Sequence, residues 1–243
     1  MKVGFETDKG RRRLKNEDSV KILSGDSFFM LADGVGGNRS GEVASSCALD
    51  AHEKYVSENH LSDADDKETI FRNFLDAVNF VNQYIKAVAD TDEDYEGMAS
   101  TLVFAYIRDN TLYAANVGDS RLYVTSKGRL YQITEDHTYV NDLVKLGAIT
   151  REEASRHNKK NVITRAMGVS GYIRPDCFCV NLSDDARVLI CSDGLYDEVS
   201  EERILRTLYE YSDMQACAES LVNLANENGG NDNISVICIS LED

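Results

Sequence analysis

Apolar and polar positions alternate in short runs at both ends of the chain and again in its middle, and between those blocks apolar residues recur every three or four positions. Two apolar runs share a form. Phe28 to Ala32 leads into Asp33-Gly34-Val35-Gly36-Gly37-Asn38, and Val188 to Cys191 leads through Ser192 into Asp193-Gly194. Each reads as a buried strand that delivers a carboxylate to its end, followed by a turn. One Asp-Gly after a strand is commonly only a turn, because glycine supplies positive φ and aspartate bonds its own backbone. Its repetition is what suggests chemistry.

Residues 1–8, 18–24 and 27–33 are expected as short strands. From Ser40 the period lengthens, and Val43, Cys47, Ala51 and Tyr55 at four-residue steps predict a helix to about Glu58. After the acidic stretch Asp63-Ala64-Asp65-Asp66, a longer helix carries Ile70, Phe71, Phe74, Leu75, Val78, Val81, Ile85 and Val88 on one face, with Asp65 and Glu68 as its capping box. The two helices are expected antiparallel over one sheet. Strands are predicted at 100–108, 111–117, 120–125 and 129–133, joined by hairpins at Asp109-Asn110 and Lys127-Gly128. Short helices follow at about 138–146, ended by Gly147, and 151–156, opened by a Thr150/Glu153 capping box. Strands near 161–165, 172–182 and 186–192, helices from Ser200 and Asp213, and a last strand Ile234–Leu241 complete the pattern. Strand blocks alternate with helix pairs, not strand by strand with single helices, which disfavours a doubly wound parallel sheet. The expected fold class is α+β, with two antiparallel sheets packed face to face and helices outside.

Length and composition narrow this further. At 243 residues the chain can form one large domain or two small ones and bury a sizeable core; no clear linker, repeat or low-complexity tract interrupts it, and one domain over 1–243 is expected. The net charge of −16 argues against nonspecific binding to nucleic acid or an anionic membrane. It reads either as a solubility device or as carboxylates gathered where divalent cations neutralise them. The N-terminus lacks the regions of a signal peptide, and no apolar run approaches the roughly 20 residues of a membrane span, so a cytoplasmic protein is expected. Six scattered cysteines, Cys47, Cys177, Cys179, Cys191, Cys217 and Cys238, read as reduced core thiols.

Acidic residues collect at predicted strand ends: Glu17-Asp18, Asp33-Gly34, Asp193-Gly194 and Asp232-Asn233, with Asp119 in the turn Gly118-Asp119-Ser120-Arg121. Carboxylates held close disfavour one another's ionisation unless a cation lies between them. The donors are all oxygens, with four histidines in the chain and no Cys-x-x-Cys, which suits magnesium or manganese and not zinc. A shared aspartate would give two ions roughly 3.5–4 Å apart that clamp an attacking hydroxide. Ahead of Asn16-Glu17-Asp18 stands Arg11-Arg12-Arg13. Arg11 and Arg12 read as a solvated turn, whereas the Arg13 guanidinium can fork onto two phosphate oxygens.

The stretches Arg13-x-x-Asn16-Glu17-Asp18, Asp33-Gly34-Val35-Gly36-Gly37, Gly118-Asp119-Ser120-Arg121, Thr134-Glu135-Asp136-His137, Ile163-Thr164-Arg165-Ala166-Met167-Gly168, Ser192-Asp193-Gly194-Leu195-Tyr196-Asp197 and Asn231-Asp232-Asn233-Ile234-Ser235-Val236 occur in that order. Together they resemble the type 2C (PPM), metal-dependent protein serine/threonine phosphatases in their compact bacterial form, from about residue 2 to 240. The resemblance implies a four-layer αββα sandwich with Mn²⁺ or Mg²⁺ in a cleft at one end, two ions in the core site and a third beside them. Asp33 would bridge two metals, the Gly34 carbonyl would hold the second, and Asp193 and Asp232 would complete the first. Asp18 would act through metal-bound water, with Glu17 contributing likewise, and Arg13 would bind substrate phosphate. Asp119 with Asp193 would hold the third metal, and 138–160 would form a flap beside the cleft. The implied partners are phosphoproteins, among them a serine/threonine protein kinase and its substrates, met by a monomer.

Two departures from the family stand out. Val35 replaces the histidine of larger members and the methionine usual in bacterial ones, and Asn38 replaces a histidine common among the latter. Protonation of the leaving alkoxide is therefore expected from metal-bound water. His137 reads as a structural tie for its turn, and His157 as either a substrate contact or an exposed flap residue. Arg39 stands where a dinucleotide cradle needs its last glycine, no Gly-Lys-Ser/Thr occurs, and no cysteine has an arginine six positions on, which excludes three other phosphate-handling motifs. The rival readings are a phosphatase-like regulatory module that binds a phosphoprotein without turnover, and a two-metal nuclease, which the acidic charge disfavours.

Overall fold

The computed structural model describes residues 1–23, 27–36, 40–59 and 66–242. The chain opens with strands β1 (Lys2–Asp8), β2 (Asp18–Leu23) and β3 (Phe28–Val35), then helices α1 (Ser40–Asn59) and α2 (Lys67–Ala89). Strands β4 (Ala99–Ser100), β5 (Leu102–Arg108), β6 (Thr111–Val117), β7 (Arg121–Ser126) and β8 (Arg129–Gln132) form the middle, followed by helices α3 (Tyr139–Lys145) and α4 (Arg151–Ser155). Strands β9 (Asp176–Asn181) and β10 (Arg187–Cys191), helices α5 (Asp193–Tyr196), α6 (Glu201–Glu210) and α7 (Met214–Asn228), and strand β11 (Ile234–Ser240) complete it. One sheet has the order β1-β11-β10-β7-β8 and the other β2-β3-β5-β6-β9, with β4 pairing the far end of β3. Strand pairs in both are antiparallel.

Period-two alternation sorts the apolar residues into three layers. On β3, Phe29 and Leu31 point between the sheets, where they join Val103, Leu112, Leu122, Val188, Ile190 and Ile237. Phe28, Met30 and Ala32 point the other way, against Leu49 and Val56 of α1 and Phe74, Val78 and Val81 of α2. On the opposite sheet, Leu189, Cys191, Val236 and Cys238 face Ile204 and Leu208 of α6 and Leu221 and Ala225 of α7. Central strands buried on both faces explain their continuous apolar runs. The result is the four-layer αββα sandwich. No helix is long and apolar enough to cross a membrane among the described residues.

The expected hairpins are present, with φ near +50° at Asp109, Asn110 and Lys127 and +70° at Gly128, as tight two-residue turns require. Gly147, at φ +69°, ends α3, and the Thr150/Glu153 capping box opens α4. Other expectations need correction. The cap of α2 is Asp66, which accepts from the Thr69 amide at 2.8 Å, one residue later than the expected Asp65, which lies outside the described residues. Residues 161–165 form no strand: a single bridge, Thr138 to Ile163, ties this segment back to the start of α3. The strand expected at 172–182 begins only at Asp176, after Pro175. Asp33 and Gly34 are not turn residues, because β3 runs through them to pair with β4.

One core residue carries a pH liability. His52 of α1 is fully buried, its ring centroid 4.2 Å from that of Phe104, and neither ring nitrogen has a partner. Burial holds its pKa down at about 3. The unfolded chain therefore takes up a proton near pH 6.5 that the folded chain refuses, so the stabilisation from keeping the ring neutral is complete above that pH and is lost as pH falls toward 3. At pH 5 the loss is about 2 kcal/mol. His52→Leu is expected to raise Tm over the parent more at pH 5 than at pH 8, and an equal shift at both would show that the imidazole is not responsible.

Candidate active site

Two strands from one sheet bring the first pair of carboxylates together. Asp18 opens β2 directly opposite Asp33 of β3, a spacing at which like charges repel. Asp33 is fixed from both sides of its backbone, its amide donating to Thr101 Oγ1 at 2.9 Å and its carbonyl accepting from the Thr101 amide at 2.8 Å and Ser100 Oγ at 3.0 Å. Thr101 Oγ1 also lies 2.8 Å from Ser120 Oγ, which ties β3 to the β6–β7 turn that holds Asp119. Gly118 before it takes φ +114°, and a Cβ there would fall 2.6 Å from the Thr101 side chain, so only glycine turns the chain this closely.

The other sheet supplies the remaining acids. Strand β10 ends at Cys191, and Asp193 starts the short helix α5. Ser192 stands at its N-cap without capping it. Its hydroxyl instead donates to Asp18 Oδ2 at 2.7 Å and accepts from the Ser235 amide at 3.0 Å. Asp232 immediately precedes Asn233 and β11. Asn233 Oδ1 accepts from the Glu17 amide at 2.9 Å, and its Nδ2 donates to the carbonyls of Lys9 and Lys15, so one buried side chain holds the whole 9–17 loop. The glycines after both aspartates sit against backbone: a Cβ on Gly34 would fall 1.9 Å from the Gly41 carbonyl oxygen, and one on Gly194 2.0 Å from that of Asn233.

Arg13 donates from Nη2 to Asp232 Oδ2 at 2.6 Å and is 48% exposed, which leaves the other edge of its fork toward solvent. Arg11 and Arg12 are exposed, and among the described residues their bonds are those of their amides to the Gly230 carbonyl. Glu17 lies against the start of α1, where a Cβ on Gly41 would meet its Oε1 at 2.6 Å. Val35 is 45% exposed, and Asn38 lies outside the described residues.

The electrostatics follow from this crowding. Burial, then repulsion by Asp18, Asp193, Asp119 and Asp232, pushes the Asp33 carboxyl well above the ordinary range. Asp193 is raised in the same way, by burial and then Asp119 and Asp232. Burial raises Asp18 to about 6 and Asp119 to about 7. Oδ1 of Asp18 and Oδ1 of Asp193 are buried without a hydrogen-bond partner. Side by side, four unneutralised carboxylates with two orphaned oxygens are a site short of positive charge. Among the described residues no three acids close on one point as a finished ligand cage. The all-oxygen donor set, crowding and orphaned oxygens fit hard divalent cations that keep several waters.

Sequence reasoning missed the supports. Beyond Thr101, Ser192 and Asn233, the Arg121 guanidinium forks onto Asp136 at 2.9 and 2.6 Å and stacks 3.5 Å over Tyr196, whose hydroxyl donates to the Asp119 carbonyl at 3.0 Å. His137 is the structural tie expected of it: Nδ1 accepts from the Gly118 amide at 3.0 Å, its amide donates to the Gly118 carbonyl, and its carbonyl accepts from the Thr164 amide. His157 is half-buried, its ring 6.1 Å from Tyr139 and its Nδ1 accepting from the Lys159 amide.

A two-sheet sandwich that gathers acids from both sheets fits a hydrolase that works with divalent cations, and comparison with known proteins makes the class particular. Residues 7–234 match the family model described as protein phosphatase 2C. The chain is 35% identical over 243 residues to the serine/threonine phosphatase stp of Listeria monocytogenes, covering 98% of this chain and 95% of that protein. It superposes on the crystal structure of the serine/threonine phosphatase PstP from Mycobacterium tuberculosis with a TM-score of 0.88 at 37% identity, covering 100% of this chain and 99% of the other. A structure of the PstP catalytic domain in complex with two manganese ions matches with a TM-score of 0.83 at 36% identity, over 98% and 96% of the two chains. The chain belongs to the protein phosphatase 2C family and is an enzyme of the serine/threonine protein phosphatase class.

Proposed function

We propose that the chain, as a single domain over 1–243, hydrolyses phosphoserine and phosphothreonine in phosphoproteins at a divalent-cation centre built from Asp33, the Gly34 carbonyl, Asp193 and Asp232. The observation that carries this is the crowded cluster of Asp18, Asp33, Asp119 and Asp193, the first and third of them buried and the other two half-buried, with orphaned oxygens on Asp18 and Asp193. Two Mn²⁺ or Mg²⁺ ions, when bound, would neutralise the cluster and supply a polarised water for attack on phosphorus.

The chain's own residues do the rest. Arg13, anchored through one nitrogen to Asp232, offers its remaining N–H groups to two phosphate oxygens and aligns the ester with the acids. Asp18, held by Ser192, and Glu17, held through its amide by Asn233, would act through water on the ions when these are bound. Thr101 and Ser100 keep the Asp33 backbone in place, which fixes the point from which its carboxylate reaches its neighbours. Val35 cannot donate a proton, so the leaving alkoxide takes its proton from water. The segment 138–160 serves as a flap beside the cleft, with Lys160 tying its end to Asp197 at 2.6 Å. Phosphoproteins, including a serine/threonine kinase and its substrates, are the partners, met by a monomer in the cytoplasm.

Hydrolysis of p-nitrophenyl phosphate and a phosphothreonine peptide, with Mn²⁺ or Mg²⁺ added back after chelation, tests this reading. Turnover should vanish with chelator and return with metal. Full turnover in the chelated protein overturns the metal role, and peptide binding without turnover leaves a regulatory module.

Asp119 has a separate expectation, as holder of a third cation together with Asp193. Asp119→Ala should keep two tightly bound metals by calorimetric titration while kcat falls roughly 10- to 100-fold. Normal turnover in a folded variant would return Asp119 to a turn former, and loss of all metal binding would place it in the core pair.

A further inference from the structure

Away from the acids, a cavity of about 1310 Å³ opens between α2 and the segment 163–178, walled by Phe71 and Phe178 and by the arginines Arg72, Arg165 and Arg174. Its two acids are already engaged. Asp176 binds Arg165 at 2.8 Å and lies 3.2 Å from His137, and Glu135 pairs with Lys145. Arg72 and Arg174 are exposed and have no ion pair among the described residues. Tyr172 stands beside them, 69% exposed. Uncommitted arginines flanking an exposed tyrosine and half-buried phenylalanines are the composition of an interface hot spot, and they occur here on a chain of net charge −16.

The cavity also adjoins the catalytic end. From Arg165 the contacts run to Asp176, to His137 and to Gly118, the neighbour of Asp119. A segment flanking a phosphorylated residue held among the acids can thus reach this cavity. Its volume exceeds the roughly 300–1,000 Å³ typical of a small-molecule pocket and suits several side chains of an extended segment. We propose that this cavity docks an acidic segment of the phosphoprotein substrate, flanking the phosphorylated residue, with Arg72 and Arg174 receiving its carboxylates and Phe71 and Tyr172 its aliphatic stems. The net charge of −16 disfavours such a segment on the surface at large, and the two arginines offer it a place to land.

This rests on the phosphatase reading, and the test keeps the two apart. A phosphothreonine peptide with flanking glutamates is compared with the same peptide carrying glutamines, on the parent and on the double variant Arg72→Glu, Arg174→Glu. Both sites are exposed, so the fold is undisturbed. The parent should show a kcat/KM roughly tenfold higher for the acidic peptide, shrinking as salt rises from about 50 to about 300 mM. The double variant should lose the preference while its turnover of p-nitrophenyl phosphate stays unchanged. A parent with no preference, or a variant that keeps it, overturns the proposal. If no substrate is turned over under any metal, the phosphatase reading has failed, and docking is then read by fluorescence anisotropy of the unphosphorylated acidic peptide. Binding weakened roughly tenfold in the variant sustains docking, and equal or absent binding ends it.

Discussion

Asp193→Asn is expected to lower kcat by roughly 10³-fold at saturating metal, while the metal-free variant melts higher than the parent. Both effects come from one contact set. Asp193 is crowded by Asp119, Asp232 and Asp18, and burial adds to their repulsion. Replacing one carboxylate with a neutral amide of the same shape removes repulsion from the folded state and not from the unfolded one, so the metal-free fold gains. It also removes a charged donor from the proposed cation centre. With Mn²⁺ present, the parent should overtake the variant, because a ligand that binds only the folded chain stabilises in proportion to its affinity. Calorimetric melting with and without Mn²⁺, beside peptide kinetics, checks both halves. Unchanged turnover would move the site elsewhere, and a metal-free variant that melts lower would show that the carboxylates are not in conflict.

Arg13→Ala is expected to raise KM for phosphopeptide by roughly 10- to 100-fold with a smaller change in kcat, the pattern of a contact made equally in ground and transition states. Arg11→Ala and Arg12→Ala should leave KM near the parent value, since both side chains are exposed and only their amides are engaged, at Gly230. Arg13 also holds Asp232 at 2.6 Å. Loss of that contact predicts a second sign, a changed metal requirement in the alanine variant, which Arg13→Lys should partly restore by returning charge without the fork. Sensitivity at Arg12 instead would show that the loop is read one residue out of register.

What the sequence revealed was what alternation and turn chemistry encode locally. Phe28–Ala32 and Val188–Cys191 announce central strands because both faces are buried, and Asp109-Asn110 announces a hairpin because its residues tolerate positive φ. The Asp-Gly pairs were visible as acidic strand ends but not in shape. β3 continues through Asp33-Gly34 since β4 pairs there, a partner 66 positions later for Gly34, and no local pattern carries that. The helix α5 is too short for a period to register. The supports are long-range for the same reason: Ser192 reaches Asp18, and Asn233 reaches Lys9, Lys15 and Glu17. A faint signal did exist. Ser192 has the residue type and position of a helix cap yet spends its hydroxyl on Asp18, a local rule broken beside the acids.

The glycines that follow Asp33 and Asp193 set a limit on how this chain can diverge. An overlarge side chain in an ordinary core is rescued when a neighbour shrinks, but at Gly34 and Gly194 the obstructing atoms are backbone carbonyl oxygens, of Gly41 and Asn233. No second-site substitution makes a carbonyl smaller, so no suppressor exists. The aspartates have no such lock, because their loss leaves the packing intact and relieves repulsion. In a lineage that abandons catalysis, the two acids are free to drift while the two glycines persist. The two glycines are thus tied to the fold, whereas the two aspartates are tied, on the proposed mechanism, to the reaction.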